Sequence, residues 1–92
     1  MAEPIEIHVG KRLRARRRLM EMTQAQLGRR VGVSFQQIQK YECAAQRMTV
    51  AMLWKLAQAL EVEPQYFLGG TKELAEPRRS AEAGGAEDEP SA

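Results

Sequence analysis

The 92-residue sequence has few of the residues from which reactive centres are built. It contains one cysteine, Cys43, and one histidine, His8. A single thiol cannot form an intramolecular disulfide framework and fits a reducing compartment. One Cys and one His cannot furnish the ligand set of an ordinary zinc site, so no metal or cofactor is expected. No apolar run approaches the length of about 20 residues that a bilayer span needs. The opening MAEPIEIHVGK lacks the charged-then-apolar plan of a signal peptide. A cytoplasmic protein without membrane contact is expected. Nucleophile–base pairings, paired carboxylates on a rigid frame and a glycine-rich phosphate cradle are also missing, which argues against an enzyme. No segment alternates with the period of two that a strand requires, so the fold class is all-α.

What remains is charge, unevenly spread. Residues 1–70 carry eleven Lys/Arg against six acids, a net of +5, whereas residues 71–92 carry three against six, a net of −3. The stretch 71–92 (TKELAEPRRSAEAGGAEDEPSA) has one large aliphatic residue, Leu74, two prolines and a Gly-Gly. It cannot bury enough apolar area to offset its ordering entropy and is expected to be a disordered acidic tail. The compact basic module, residues 1–70, calls for a polyanionic partner, nucleic acid first.

Apolar residues recur at helical spacing from about residue 6 to residue 68, and five helices are expected. The first runs from about Glu6 to Met20, with Val9, Leu13 and Met20 on one stripe. Thr23 and Gln26 form a capping-box pattern for the second, which Gly32 stops in a left-handed conformation. Ser34, again followed three residues later by glutamine (Gln37), caps a third helix reaching about Glu42. Thr49 caps the fourth, whose Met52, Leu53, Leu56, Ala57 and Leu60 share a face. A short fifth starts at Glu63-Pro64, with proline where its missing N–H costs nothing, and ends at Gly69-Gly70.

Between Gln24 and Tyr41 stands QAQLGRRVGVSFQQIQKY. Leu27 and Val31 lie one turn apart and face inward, Gly28 allows a close helix crossing, and Gly32 makes the turn that Val33 plugs. Ile38 and Tyr41 are the inward residues of the next helix. Two short helices joined through a glycine turn form the DNA-reading helix-turn-helix, here at about 24–43 with the recognition helix at about 34–42.

From about Val9 to Leu68 the chain resembles the lambda-repressor/Cro-type helix-turn-helix family, also called the xenobiotic-response-element family. VGKRLRARRRLMEMTQAQLG, VGVSFQQIQKYE and LAQALEVEPQYFL stand in that family's order and spacing. The resemblance implies a compact five-helix lambda-repressor-like domain and a homodimer on a palindromic operator in double-stranded DNA. It also implies control of transcription, as a nucleoid-associated repressor or through contact with RNA polymerase or another regulatory protein. An antitoxin-like module that mainly holds a protein partner is the competing reading.

With Ile38 and Tyr41 turned inward, Phe35, Gln36, Gln39 and Lys40 face the major groove. Gln36 is the first candidate base reader, because glutamine can bond adenine bidentately. Gln37 is either a base reader or, if the capping box closes, occupied by its own helix. Phe35 either packs on a thymine methyl or is buried. Phosphate contacts are expected from Gln24, Ser34, Lys40 and Arg47. Gln24 sits at a helix N-terminus, where N–H groups and the dipole favour an anion, and the resemblance gives it the same role. Most of the run Lys11, Arg12, Arg14, Arg16 and Arg18 reads as a solvated face acting by long-range attraction. Arg17 is set apart, because the resemblance pairs it with Glu42 in a partly buried structural ion pair. Cys43-Ala44 depart from the Asn/Arg-Gly that often follows this glutamate in the family, so the third helix must end by another route. Val62, Tyr66, Phe67 and Leu68 crowd one short terminal helix. Either Tyr66, Phe67 and Leu68 are dimer contacts, as the resemblance implies for this region, or Phe67 and Leu68 close the monomer's core and leave Tyr66 half exposed.

Overall fold

Helix starts follow the side chains that can accept from a free backbone N–H. The computed structural model describes residues 2–71 and has four α-helices: α1 (Pro4–Leu19), α2 (Gln24–Val31), α3 (Phe35–Glu42) and α4 (Val50–Ala59). Thr23 and Gln26 cap α2 reciprocally: the Gln26 N–H donates to Thr23 Oγ1 at 3.0 Å, and the Thr23 N–H to Gln26 Oε1 at 2.8 Å. Ser34 and Thr49 accept from the third residues of α3 and α4 at 3.2 and 3.0 Å. Helix α1 begins at Pro4, two residues before the expected Glu6, with proline at the first helical position. The expected acidic tail lies outside the described residues, apart from Thr71.

The expected fifth α-helix is instead a 3₁₀ turn over Pro64–Leu68. Tyr66 N–H bonds Glu63 O at 2.9 Å and Gly69 N–H bonds Tyr66 O at 3.2 Å, both three residues back. Between Pro64, which has no N–H, and Gly69-Gly70, the segment is too short for an i−4 ladder to establish itself.

The core joins all five elements: Val9 and Leu13 from α1, Leu27 and Val31 from α2, Ile38 and Tyr41 from α3, Leu56 and Ala57 from α4, then Leu60 and Phe67. Leu13, Leu27, Ile38, Leu56, Leu60 and Phe67 are completely buried. Each such side chain contributes about 1.5–3 kcal/mol relative to exposure. Phe67 therefore closes the core of its own protomer and has no surface to offer a second copy, which corrects its assignment as a dimer contact. Two glycines let backbones touch. A Cβ on Gly28 would stand 2.5 Å from Val33 O, inside the turn, and one on Gly10 2.6 Å from Glu42 O, where α1 crosses the end of α3.

The arginines of α1 do more than form a solvated face. Arg12 Nε donates to Tyr66 O at 2.8 Å, and its guanidinium lies 4.2 Å from the centre of the Tyr66 ring. Arg16 Nε donates to Leu60 O at 2.9 Å, satisfying a carbonyl left free at the end of α4. His8 Nε2 donates to Gly69 O. These bonds fasten the C-terminal part of the domain to α1. Lys11, Arg14 and Arg18 are exposed, as expected of most of the run.

Arg17 is buried and binds Glu42 with two nitrogens: Nε to Oε2 at 2.5 Å and Nη2 to Oε1 at 3.1 Å. Its third nitrogen, Nη1, donates to Met22 O at 2.8 Å, one residue before the cap of α2. One side chain of α1 thus fixes the start of α2 and the end of α3. Removing one partner of a buried pair leaves an unpaired charge and costs about 3–5 kcal/mol. Arg17→Ala is expected to lower stability on that scale in denaturant melts. Arg16→Ala, which frees the Leu60 carbonyl and a longer, exposed bond to Glu61 O, should cost about 1 kcal/mol, and exposed Arg18→Ala should cost almost nothing. Equal costs for all three would contradict this assignment.

Helix α3 ends without glycine. Ala45 N–H bonds Lys40 O at 2.8 Å and Ala44 N–H bonds Tyr41 O at 3.2 Å, the two bonds of a Schellman cap. Ala44 consequently adopts φ 61°, a left-handed conformation that its Cβ disfavours. Glu21 and Glu61 do the same after α1 and α4, at φ 58° and 60°. Ala44→Gly is therefore expected to stabilise the domain by about 1 kcal/mol, read as a raised Tm; an unchanged or lowered Tm would contradict the strain.

Candidate nucleic-acid interface

Helix α3 buries Ile38, Tyr41 and Glu42. The periodicity of 3.6 then turns Gln36, Gln39 and Lys40 outward, and all three are exposed. Phe35 opens the helix and is 48% exposed. Ser34 is exposed just before it, with its hydroxyl engaged as the cap. These residues form one continuous surface of three amide or ammonium heads and one aromatic ring.

At Gln37 the cap of α3 lacks a reciprocal bond. Ser34 accepts from the Gln37 N–H, but among the described contacts the Gln37 amide does not return to the Ser34 backbone. The half-buried Gln37 side chain is thus not held as a cap, in contrast to Gln26.

Gln24 lies beside this surface at the start of α2. Its Nε2 donates to Glu42 Oε1 at 3.1 Å, so the same carboxylate holds Arg17 and Gln24. An amide nitrogen carries two hydrogens, and one bond to Glu42 leaves the second available. The sequence pattern had no signal for this link, because it joins residues 18 apart across two helices.

Arg47 stands in the loop after α3, where its Nε lies 2.9 Å from Glu6 Oε2. Its side chain is 75% exposed, so the pair is a weak surface contact that an incoming anion can displace. Arg47 from the loop after α3, Lys40 from α3 itself and Gln24 from the start of α2 come from separate parts of the fold. The glutamate partner of Arg47 was also not legible, since Glu6 is expected only as a first-turn residue of α1. Tyr66 is half-buried under Arg12, and Leu68 is 44% exposed beside it. Among the described residues there is no group of three or more His, Cys, Asp or Glu side chains that could hold a metal. No helix among them is long and apolar enough to cross a membrane.

Comparison with known proteins places this geometry. Residues 13–67 match the family described as helix-turn-helix. The chain is 48% identical over 66 residues to the HTH-type transcriptional regulator y4aM of Sinorhizobium fredii, covering 72% of this chain and 46% of that one. It is 48% identical over 63 residues to a transcriptional regulator in the ATPase CF(0) region of Rhodospirillum rubrum, covering 68% and 58%. The chain thus spans about half the length of the curated relatives it matches. Among solved structures, the c2 repressor of Salmonella phage P22 in complex with a synthetic operator is 39% identical. That match has a TM-score of 0.63 and covers 67% of this chain and 94% of that one. With the fold, the turn and the family match in agreement, the chain belongs to the Cro/C1-type helix-turn-helix family of DNA-binding transcriptional regulators.

Proposed function

We propose that the protein binds a palindromic operator as a dimer, lays α3 of each protomer in the major groove, and represses transcription by occluding promoters. The observation that carries the reading is the exposed row Gln36, Gln39 and Lys40 on a helix whose opposite face is locked to α1 by Arg17 and Glu42. A row of hydrogen-bonding heads on a helix held by a buried ion pair suits base-edge recognition, which depends on geometry held to a fraction of an ångström. In this reading Gln36 bonds an adenine, Gln37 and Lys40 reach neighbouring base edges, and Gln24, Ser34, Lys40 and Arg47 contact phosphates. The P22 c2 repressor, 39% identical, is solved in complex with a synthetic operator, which supports operator DNA as the ligand here.

One α3 reads only a few base pairs, and a two-fold dimer doubles the site by placing two reading helices about 34–36 Å apart. With Phe67 inside the core, the surface that remains for dimerisation is Leu68 and the outer edge of Tyr66. Domain organisation follows the charge division: residues 1–70 bind, and residues 71–92 form an acidic appendage that competes with phosphate for the basic module.

Gln36→Ala is expected to weaken binding to the selected site by about 1–3 kcal/mol and to relax preference at one base pair. Lys40→Ala should weaken every sequence and flatten the salt dependence of the binding constant. Equal losses on specific and random DNA for Gln36→Ala would contradict the assignment. Leu68→Asp leaves the core untouched, so it should shift sedimentation from dimer to monomer and reduce affinity for a full palindrome while half-site affinity is kept. A wild-type protein that is monomeric at tens of micromolar and binds half-sites as tightly as palindromes would refute the dimer.

A further inference from the structure

An aromatic ring in the middle of a polar recognition surface calls for a physical reason. Phe35 is about half exposed. It belongs neither to the core cluster nor to the partly buried apolar residues packed against that cluster. About half of its surface is left to solvent, and Ser34, Gln36 and Gln39, its neighbours on the same side of α3, are polar and exposed. Leaving such a ring in water is unfavourable, and the loss is recovered when an apolar group is laid against it.

In the major groove only one apolar group on a natural, unmodified base edge presents itself, the C5-methyl of thymine. Cytosine offers a C5–H at the same place and an amino donor beside it, and the phenyl ring can bond neither. The adjacent exposed side chain, Gln36, matches the N7 and N6 positions of adenine. Resting on the DNA-binding reading above, we propose that Phe35 is a specificity-determining residue that selects a thymine by its methyl group. The half-site then carries an A·T-rich step in which Phe35 packs on the methyl of one pair and Gln36 reads the adenine of a neighbouring one. Discrimination at the Phe35 position comes from a methyl contact, not a hydrogen bond.

The test uses the full chain and a duplex selected from a random-sequence pool by successive rounds of binding. Each thymine of the selected duplex is replaced singly by deoxyuridine, which removes only the methyl. Wild-type protein is expected to lose affinity at one thymine per half-site, roughly fourfold, the change that follows from one methyl leaving an apolar contact. Phe35→Ser should lower affinity for the thymine duplex by at least that factor and bind the thymine and deoxyuridine duplexes equally. In wild type, 5-methylcytosine at that position should bind better than cytosine, and this difference should vanish in Phe35→Ser. The Tm of Phe35→Ser should stay close to wild type, because the ring lies outside the core. Specific binding with no thymine sensitive to methyl loss would overturn this inference and leave the proposed function standing. Methyl sensitivity that survives in Phe35→Ser would assign the contact to another residue and also overturn it. A large fall in Tm would make Phe35 a packing residue, and failure to select any preferred duplex would overturn both readings.

Discussion

The buried ion pair between Arg17 and Glu42 is the constraint on which the arrangement of the domain's binding surface depends. Removing two charges from water is costly, and an apolar pair of the same volume can be equally stabilising or more so. What an apolar pair cannot supply is direction. The guanidinium meets both carboxylate oxygens and reaches Met22 O with its remaining nitrogen, so its plane, the start of α2 and the end of α3 are set together. Glu42 also receives the Gln24 amide. One carboxylate thereby ties α1, α2 and α3 into a single rigid unit, and the angle at which α3 presents its outer face follows from that unit.

Much of the scaffold could be read from local chemistry. The caps at Thr23, Ser34 and Thr49 and the left-handed stop at Gly32 need only neighbours in sequence, and each stands where its pattern indicates. The inward stripes of Leu27, Val31, Ile38 and Tyr41 are equally local, because helical periodicity alone assigns them to one side. The same local rule that found Pro64 at the head of a helix was available at Pro4, where α1 in fact begins.

Several roles were not legible because they depend on something distant along the chain. Arg12 and Arg16 look like members of a solvated basic run until the carbonyls of Tyr66 and Leu60, 54 and 44 residues away, are brought beside them. Phe67 looks like surplus apolar area on a short helix until Leu13, Leu27 and Leu56 are packed around the same centre. Gln37 and Gln26 share a capping pattern, yet only Gln26 closes its box. The glycine expected after Glu42 is replaced by Ala44, and the cap forms anyway, because two backbone bonds outweigh one strained φ. Propensity sets a preference there, and tertiary geometry decides.

The central claim is that α3 is held by Arg17 and Glu42 as a preformed reading surface and keeps that geometry when DNA is bound. NMR of the labelled protein titrated with its selected duplex tests this directly. The largest amide shifts should fall on Phe35–Lys40 and at Gln24, while the Arg17 Nε–H resonance, protected by Glu42, persists with little change. Loss of that resonance on binding, or shifts centred on the outer face of α4 with α3 unaffected, would contradict the account.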